Sequence, residues 1–83
     1  MVGLDVSCRV CLTWEIAFMV REDTGDLFLL CQECESAYLD PADYSVSPHR
    51  HSSDLHWRWR PATWDDVTAA GFAEGLRELD PPG

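Results

Sequence analysis

The chain contains no lysine and no asparagine, and all six of its basic residues are arginine. Fifteen acidic residues oppose these six, so the 83-residue chain has a formal net charge of −9. Proteins that bind DNA or RNA through phosphate contacts usually carry the opposite sign. The charge therefore disfavours a nucleic-acid partner and favours a basic protein partner. The exclusive use of arginine is typical of a protein from a GC-rich bacterial genome.

The sequence motifs of common enzyme classes are also missing. There is no glycine-rich phosphate loop, no Gly-x-Ser-x-Gly elbow and no His-Glu-x-x-His helix. We therefore predict that the protein is not an enzyme. No apolar run approaches the roughly 20 residues of a membrane helix. The N-terminal segment lacks the basic flank and apolar stretch of a secretory signal, which predicts a cytoplasmic protein with no membrane association.

The four cysteines form two Cys-x-x-Cys pairs, Cys8 with Cys11 and Cys31 with Cys34, separated by 19 residues. This spacing is that of a zinc site. Four thiolates close the tetrahedral coordination of Zn²⁺, so the predicted metal is structural. Four cysteines would also permit two disulfides, but a reducing cytoplasm favours metal. Loading with zinc would bring the net charge to about −11.

Two other ligand assignments remain open from the sequence. Iron is the alternative metal, because a rubredoxin-like site uses the same four sulfur ligands. His49, His51 and His56 lie close together in sequence and form a second candidate ligand group. No cysteine accompanies them, so we interpret these histidines as exposed loop residues.

The cysteine arrangement resembles the zinc-ribbon group, in which two Cys-x-x-Cys knuckles at hairpin ends clamp one zinc ion. The resemblance covers residues 5–39. Zinc-ribbon and rubredoxin knuckles often carry glycine directly after the second cysteine, whereas Leu12 and Glu35 occupy those positions here. The resemblance implies an antiparallel hairpin with the metal at its open end, and it identifies no particular subfamily.

The residues between the two pairs predict the hairpin independently. The alternation of large apolar residues from Trp14 to Val20 predicts a strand with one buried face. Residues 22–26 have turn chemistry, with Gly25 available for a positive φ. Residues 27–30 then predict the return strand, which would bring both cysteine pairs to one end.

Shorter elements are expected on either side of this hairpin. Residues 3–7 and 35–39 are predicted to form strands. Residues 40–54, which include several serines, are predicted to form a loop.

The C-terminal part begins with an alternation of apolar and basic residues. Residues 55–60 predict a strand with Trp57 and Trp59 on one face and Arg58 and Arg60 on the other. These four residues form a candidate surface for stacking on nucleic-acid bases.

Two helices are predicted after that strand. Thr63 as N-cap and Gly71 as the stop residue predict a helix over residues 64–70. Residues 72–79 carry an apolar stripe that predicts a second short helix, and residues 80–83 are predicted to be a tail.

Together these features predict a small α+β protein of one domain spanning residues 1–83. It would comprise a metal-binding part (3–39), a loop (40–54), and a C-terminal strand with one or two short helices (55–80). The predicted function is that of a structural zinc module acting through protein–protein interaction, as a small acidic regulator or inhibitor that docks on a basic partner. A nucleic-acid-binding zinc ribbon and a rubredoxin-like iron electron carrier are the alternatives.

Overall fold

The computed structural model describes residues 1–80, so residues 81–83 of the tail predicted over residues 80–83 lie outside the described residues. Within residues 1–80 there are seven β-strands, one α-helix and two 3₁₀ helices. In chain order, the strands and the helix are β1 (Val2–Leu4), β2 (Ile16–Arg21), β3 (Leu27–Cys31), β4 (Ser36–Tyr38), β5 (His49–His51), β6 (Trp59–Pro61), α1 (Trp64–Ala69) and β7 (Leu76–Glu78). The 3₁₀ helices are Pro41–Val46 and Ser52–Asp54.

The strands form one antiparallel sheet in the order β5-β4-β3-β2-β1-β7, and β6 pairs with the second half of β2. At its centre lies the predicted hairpin, in which Ile16 pairs with Cys31 and Val20 with Leu27. Gly25 has φ 79° in the connecting turn, a conformation that glycine adopts without steric cost. The hairpin and its turn are confirmed, and an antiparallel sheet with one short α-helix fits the predicted α+β class.

The prediction that β2 buries only one face is wrong, because both of its faces are covered. On one face, Ile16, Phe18 and Val20 pack in a cluster with Val67 of α1 and with Phe72. Ala17 and Met19 on the other face belong to a second cluster, against which Trp57 packs. A central strand between two layers shows no polar face, so alternation in the sequence understated its burial. Trp14 precedes the strand and is exposed.

The segment predicted as a loop over residues 40–54 is more ordered than expected. It contains both 3₁₀ helices and also strand β5, which pairs with β4 through His51 opposite Ser36 and His49 opposite Tyr38. The strand predicted over residues 35–39 is confirmed as β4. Without a partner, β4 would leave an open sheet edge. Residues 49–51 lack a strand pattern in their sequence, but pairing with this edge makes them a strand.

The flanking strands are shorter than predicted. The strand expected over residues 3–7 is β1 at Val2–Leu4, and that expected over residues 55–60 is β6 at Trp59–Pro61. Pro61 lies at the end of an outer strand, where its missing N–H costs no ladder hydrogen bond.

The first predicted helix is confirmed, and the second is wrong. The Thr63 side chain accepts a hydrogen bond from the Asp66 N–H while the Asp66 carboxylate accepts one from the Thr63 N–H, so α1 begins with a capping box. Gly71, with φ 95°, ends it. Residues 72–79 contain strand β7, which pairs with β1. Gly75, with φ 68°, interrupts the helical pattern and admits the turn into β7.

Candidate metal centre

The sheet brings the two cysteine pairs to the same end of the molecule. Cys31 is the last residue of β3, and Cys34 lies in the turn between β3 and β4. Cys8 and Cys11 lie in the connection from β1 to β2. The Gln32 N–H donates to the Glu15 carbonyl over 2.9 Å, which ties the second pair to the start of β2. The predicted convergence of both pairs is therefore confirmed.

The four sulfur atoms form a compact group, all lying within 4.8 Å of one another. Cys8 Sγ is 3.6 Å from Cys34 Sγ, and Cys11 Sγ is 3.6 Å from Cys31 Sγ. A tetrahedral zinc site with Zn–S bonds of about 2.3 Å has sulfur–sulfur separations of about 3.8 Å. The four cysteines are thus positioned to bind a metal ion, and this sulfur set suits zinc and iron alike.

The two knuckles repeat one backbone turn. The Leu12 N–H donates to the Cys8 carbonyl and the Glu35 N–H donates to the Cys31 carbonyl, each over 3.0 Å. Leu12 and Glu35 have φ values of 66° and 60°. This left-handed conformation is the one for which glycine is the least strained residue. The lack of glycine after each pair is therefore a difference in residue type and not in conformation.

Three hydroxyl groups surround the sulfurs, and sequence reasoning did not identify them. Thr13 Oγ1 lies 3.1 Å from Cys11 Sγ, Ser36 Oγ lies 3.2 Å from Cys34 Sγ, and the Tyr38 hydroxyl lies 3.1 Å from Cys8 Sγ. Thr13 and Ser36 follow their cysteines by two residues, so both knuckles read Cys-x-x-Cys-x-Thr/Ser. That repeat was visible in the sequence. The contribution of Tyr38 was not, because it depends on the pairing of β4 with β3.

The thiols of Cys8, Cys11 and Cys31 have different environments. Burial by itself raises the pKa of Cys8, but N–H groups of Cys11 and Val10 and the Tyr38 hydroxyl lower it to about 6. A hydrogen bond from Thr13 lowers the pKa of Cys11. Burial raises the pKa of Cys31 to about 12. Metals bind thiolates. If the site is already folded before metal binds, at pH 7 the Cys8 thiol is largely ionised and the Cys31 thiol is still protonated.

Arg9, between the first two cysteines, anchors its knuckle to the neighbouring 3₁₀ helix. Its guanidinium donates to the carbonyls of Ser45 and Ser47 and lies over the Tyr38 ring, 4.8 Å from the centroid. Its backbone N–H is within hydrogen-bond distance of the Tyr38 and Tyr44 hydroxyls. The segment after β4 is thus hydrogen-bonded to the end of the sheet where the four cysteines lie.

The three histidines stay apart from this centre. His49, His51 and His56 are exposed. Among residues 1–80, the group of cysteine, histidine and acidic side chains close enough to hold a metal is the four cysteines alone. His51 instead accepts a hydrogen bond from the Ser53 N–H at the start of a 3₁₀ helix.

The aromatic and basic surface predicted for residues 57–60 is partly used within the fold. Trp57 and Trp59 each pack edge-on against Phe28 with ring centroids 6.0 Å apart. The guanidinium of Arg21 covers the Trp57 ring at 3.9 Å, and Arg60 forms an ion pair with Asp66 at 2.9 Å. The predicted placement of both tryptophans on one face is confirmed, but these contacts reduce the surface left for stacking bases.

Comparison with protein-family models, with curated proteins and with solved structures gave no match to this chain. Within the part of the chain that the structure describes, no helix has the length and apolar character needed to cross a membrane.

Proposed function

We propose that Cys8, Cys11, Cys31 and Cys34 bind one structural zinc ion in a pair of zinc-ribbon-like knuckles. The observation that carries this proposal is the pairing of sulfurs across the knuckles at 3.6 Å. Cys8 and Cys31 are completely buried, and four protein ligands leave no coordination position for substrate. Bound zinc would supply a charge centre that holds four thiolates and links β1, β2, β3 and β4.

The size of the protein explains why a metal would be needed. A chain of 83 residues buries a smaller fraction of its surface than a larger domain, and small scaffolds commonly require a metal or disulfides for stability. Several strands here contain only three residues. We infer that zinc binding and folding are coupled, so that the metal-free chain is unfolded or loosely folded.

The proposed role is that of an acidic interaction module that docks on a basic protein partner. The net charge is −9. In residues 1–80, ion pairs to arginine engage only two acidic side chains, Asp23 and Asp66. Most of the negative charge is therefore available to a partner, for which it supplies long-range attraction and specificity. The cytoplasm is the proposed compartment, since it keeps thiols reduced.

A non-catalytic role is part of the proposal. One surface cavity of about 850 Å³ lies beside α1 and the β2–β3 turn, and neither cysteine nor histidine lines it. Asp66, which does line it, is committed to Arg60 and to the helix cap. The other charged residues that line the cavity are Arg21, Asp26 and Asp65. Its lining includes no serine, threonine, cysteine, histidine, lysine or tyrosine to pair with these carboxylates as nucleophile or base, which supports a non-catalytic role.

The first experiment is elemental analysis with a free-thiol count. We expect one zinc per chain and no reactive thiol until the protein is denatured and chelated. Cys31→Ser should abolish stoichiometric zinc and the dispersion of amide signals in NMR spectra. A triple replacement of His49, His51 and His56 by alanine is the control and should retain both. An amide spectrum that stays dispersed after chelation would refute the structural role.

The two alternatives give different readouts. Iron with visible absorption would indicate a rubredoxin-like electron carrier. Salt-dependent binding to single-stranded oligonucleotides that is lost in Trp57→Ala would indicate a nucleic-acid binder. The interaction role predicts a colourless protein that does not bind oligonucleotides and that retains a basic protein in affinity capture.

A further inference from the structure

The two knuckles share a backbone but present opposite side-chain chemistry. Residues 8–13 and 31–36 correspond position by position, with the same turn and the same hydroxyl contact to sulfur. In this correspondence Val10 and Leu12 match Glu33 and Glu35. One knuckle therefore presents apolar side chains where the other presents carboxylates.

The first knuckle exposes large apolar side chains that the fold does not use. Val10, Leu12 and Trp14 are 52%, 71% and 51% exposed. Val46, 70% exposed, lies beside the same knuckle, because Arg9 binds the carbonyls of Ser45 and Ser47 on either side of it. We call Val10, Leu12, Trp14 and Val46 the apolar knuckle surface. Exposed apolar patches mark interaction sites, and these four side chains are the candidates for such a patch at this end of the molecule.

Leu12 makes the strongest case within this surface. Its φ of 66° favours glycine, and a branched side chain there costs stability. The side chain also points into solvent, where it contributes nothing to the core. Backbone strain without a packing benefit indicates a role outside the fold.

The second knuckle supplies the complementary charge. Glu33 and Glu35 are exposed, and both flank ligands whose site would carry a charge of about −2 with zinc bound. The only basic residue within either knuckle, Arg9, is folded back onto the 3₁₀ helix. Because the sulfurs of both knuckles lie within 4.8 Å of one another, the exposed apolar and acidic side chains of the two knuckles are carried at the same end of the molecule.

We propose that this metal end is the docking face, and that it binds an amphipathic basic segment of a partner protein. Apolar side chains of the segment would cover the apolar knuckle surface, and its lysines or arginines would face Glu33 and Glu35. This inference rests on the proposed interaction function and assigns it to a particular surface.

The probe is a synthetic peptide of alternating leucine and lysine, titrated into zinc-loaded, isotope-labelled full-length protein. We expect amide shift changes at residues 10–14, 33–35 and 46. A serine–lysine peptide of equal charge is the matched control, and we expect it to bind at least about fivefold more weakly. Equal affinity of the two peptides would overturn the apolar contribution.

Leu12→Gly separates docking from folding, since glycine suits the left-handed backbone. We expect this variant to bind one zinc, to be more stable than the parent protein and to lose about fivefold in peptide affinity. Val10→Ser provides a second test that leaves this backbone position unchanged. Unaltered affinity in both variants would overturn the proposal.

The charge contribution has a control with the same change in net charge. Glu33→Gln with Glu35→Gln should weaken peptide binding and reduce its salt dependence more than Glu22→Gln with Glu74→Gln. Equal effects of the two double substitutions would show that overall charge alone attracts the peptide, and would overturn the role of Glu33 and Glu35. Shift changes confined to another surface would refute the docking face but leave the interaction function intact. If the basic peptide did not bind and affinity capture retained no basic protein, the interaction function itself would be refuted.

Discussion

The hydroxyl of Tyr38 lies 3.1 Å from the sulfur of Cys8, a residue 30 positions earlier in the chain. Tyr38 is completely buried on β4, and burial with the nearby Cys8 raises its pKa, so the phenol stays protonated and able to donate. A hydroxyl held against a thiolate stabilises the metal-binding form of that ligand. Sheet pairing is thus linked directly to the metal centre.

Tyr38→Phe should therefore weaken zinc binding. Hydrogen bonds to charged groups contribute about 1.5–3 kcal/mol, and loss of a partner in the second coordination sphere typically reduces metal affinity by about 10–100-fold. Competition with a chromophoric chelator measures this loss. Tyr44→Phe is the matched control, because the Tyr44 hydroxyl contacts Ser7 and Arg9 rather than a sulfur. Equal losses in the two variants would contradict a specific role for Tyr38.

Replacement of Leu12 or Glu35 by glycine should stabilise the protein. Both residues have a positive φ, and relief of this strain is worth about 1 kcal/mol after the greater freedom of glycine in the unfolded chain is counted. Denaturant unfolding at a fixed free zinc concentration measures the change. Val10→Gly is the control, and it should lower stability because the backbone of Val10 does not have a positive φ. A loss of stability in both test variants would show that these side chains stabilise the folded state.

Zinc binding at pH 7 should release about four protons. If the metal-free chain is unfolded, its thiols have an ordinary pKa of about 8.5 and are protonated before binding. Zinc affinity then falls as pH falls. Calorimetry in buffers of different ionisation enthalpy counts the protons released.

A smaller proton count would contradict coupled folding. In a folded metal-free site the pKa of Cys8 is about 6, so at pH 7 that thiol is already largely ionised and releases little. Cys31, with a pKa raised to about 12, still releases a full proton. In that case the slope of log affinity against pH would increase below about pH 6, where Cys8 also becomes protonated.

Gly3→Ala should destabilise the protein by about 1–3 kcal/mol, the usual cost of overpacking. An added Cβ would lie 2.5 Å from Leu79 Cδ1 and 2.8 Å from the Ile16 carbonyl oxygen. Denaturant unfolding of the zinc-loaded protein measures the effect. In a Leu79→Ala background the same substitution should cost less, because the two nearest atoms, Leu79 Cδ1 at 2.5 Å and Leu79 Cγ at 2.7 Å, are removed. An equal cost in both backgrounds would contradict packing of Leu79 across Gly3.

The accuracy of sequence prediction varied with the range of the interactions involved. Thr63 is the N-cap as predicted, and it forms a capping box with Asp66 because both partners lie within one turn of chain. The hairpin was predictable because its two strands are neighbours in sequence and its turn contains Gly25. The helix expected over residues 72–79 failed because β1 offered an open edge, and Leu76–Glu78 pairs with it across more than 70 residues.

By itself, the sequence determined the four candidate ligands, the hairpin that joins them and the capped helix, since each depends on residue type and local spacing. Tertiary structure decided that β5 and β7 are strands, that β2 is buried on both faces and that Tyr38 reaches Cys8. It also decided that the knuckle carrying Val10 and Leu12 meets the knuckle carrying Glu33 and Glu35 at one end. These outcomes depend on which sheet edges meet, and strands of three residues are too short for their own sequence to specify that pairing.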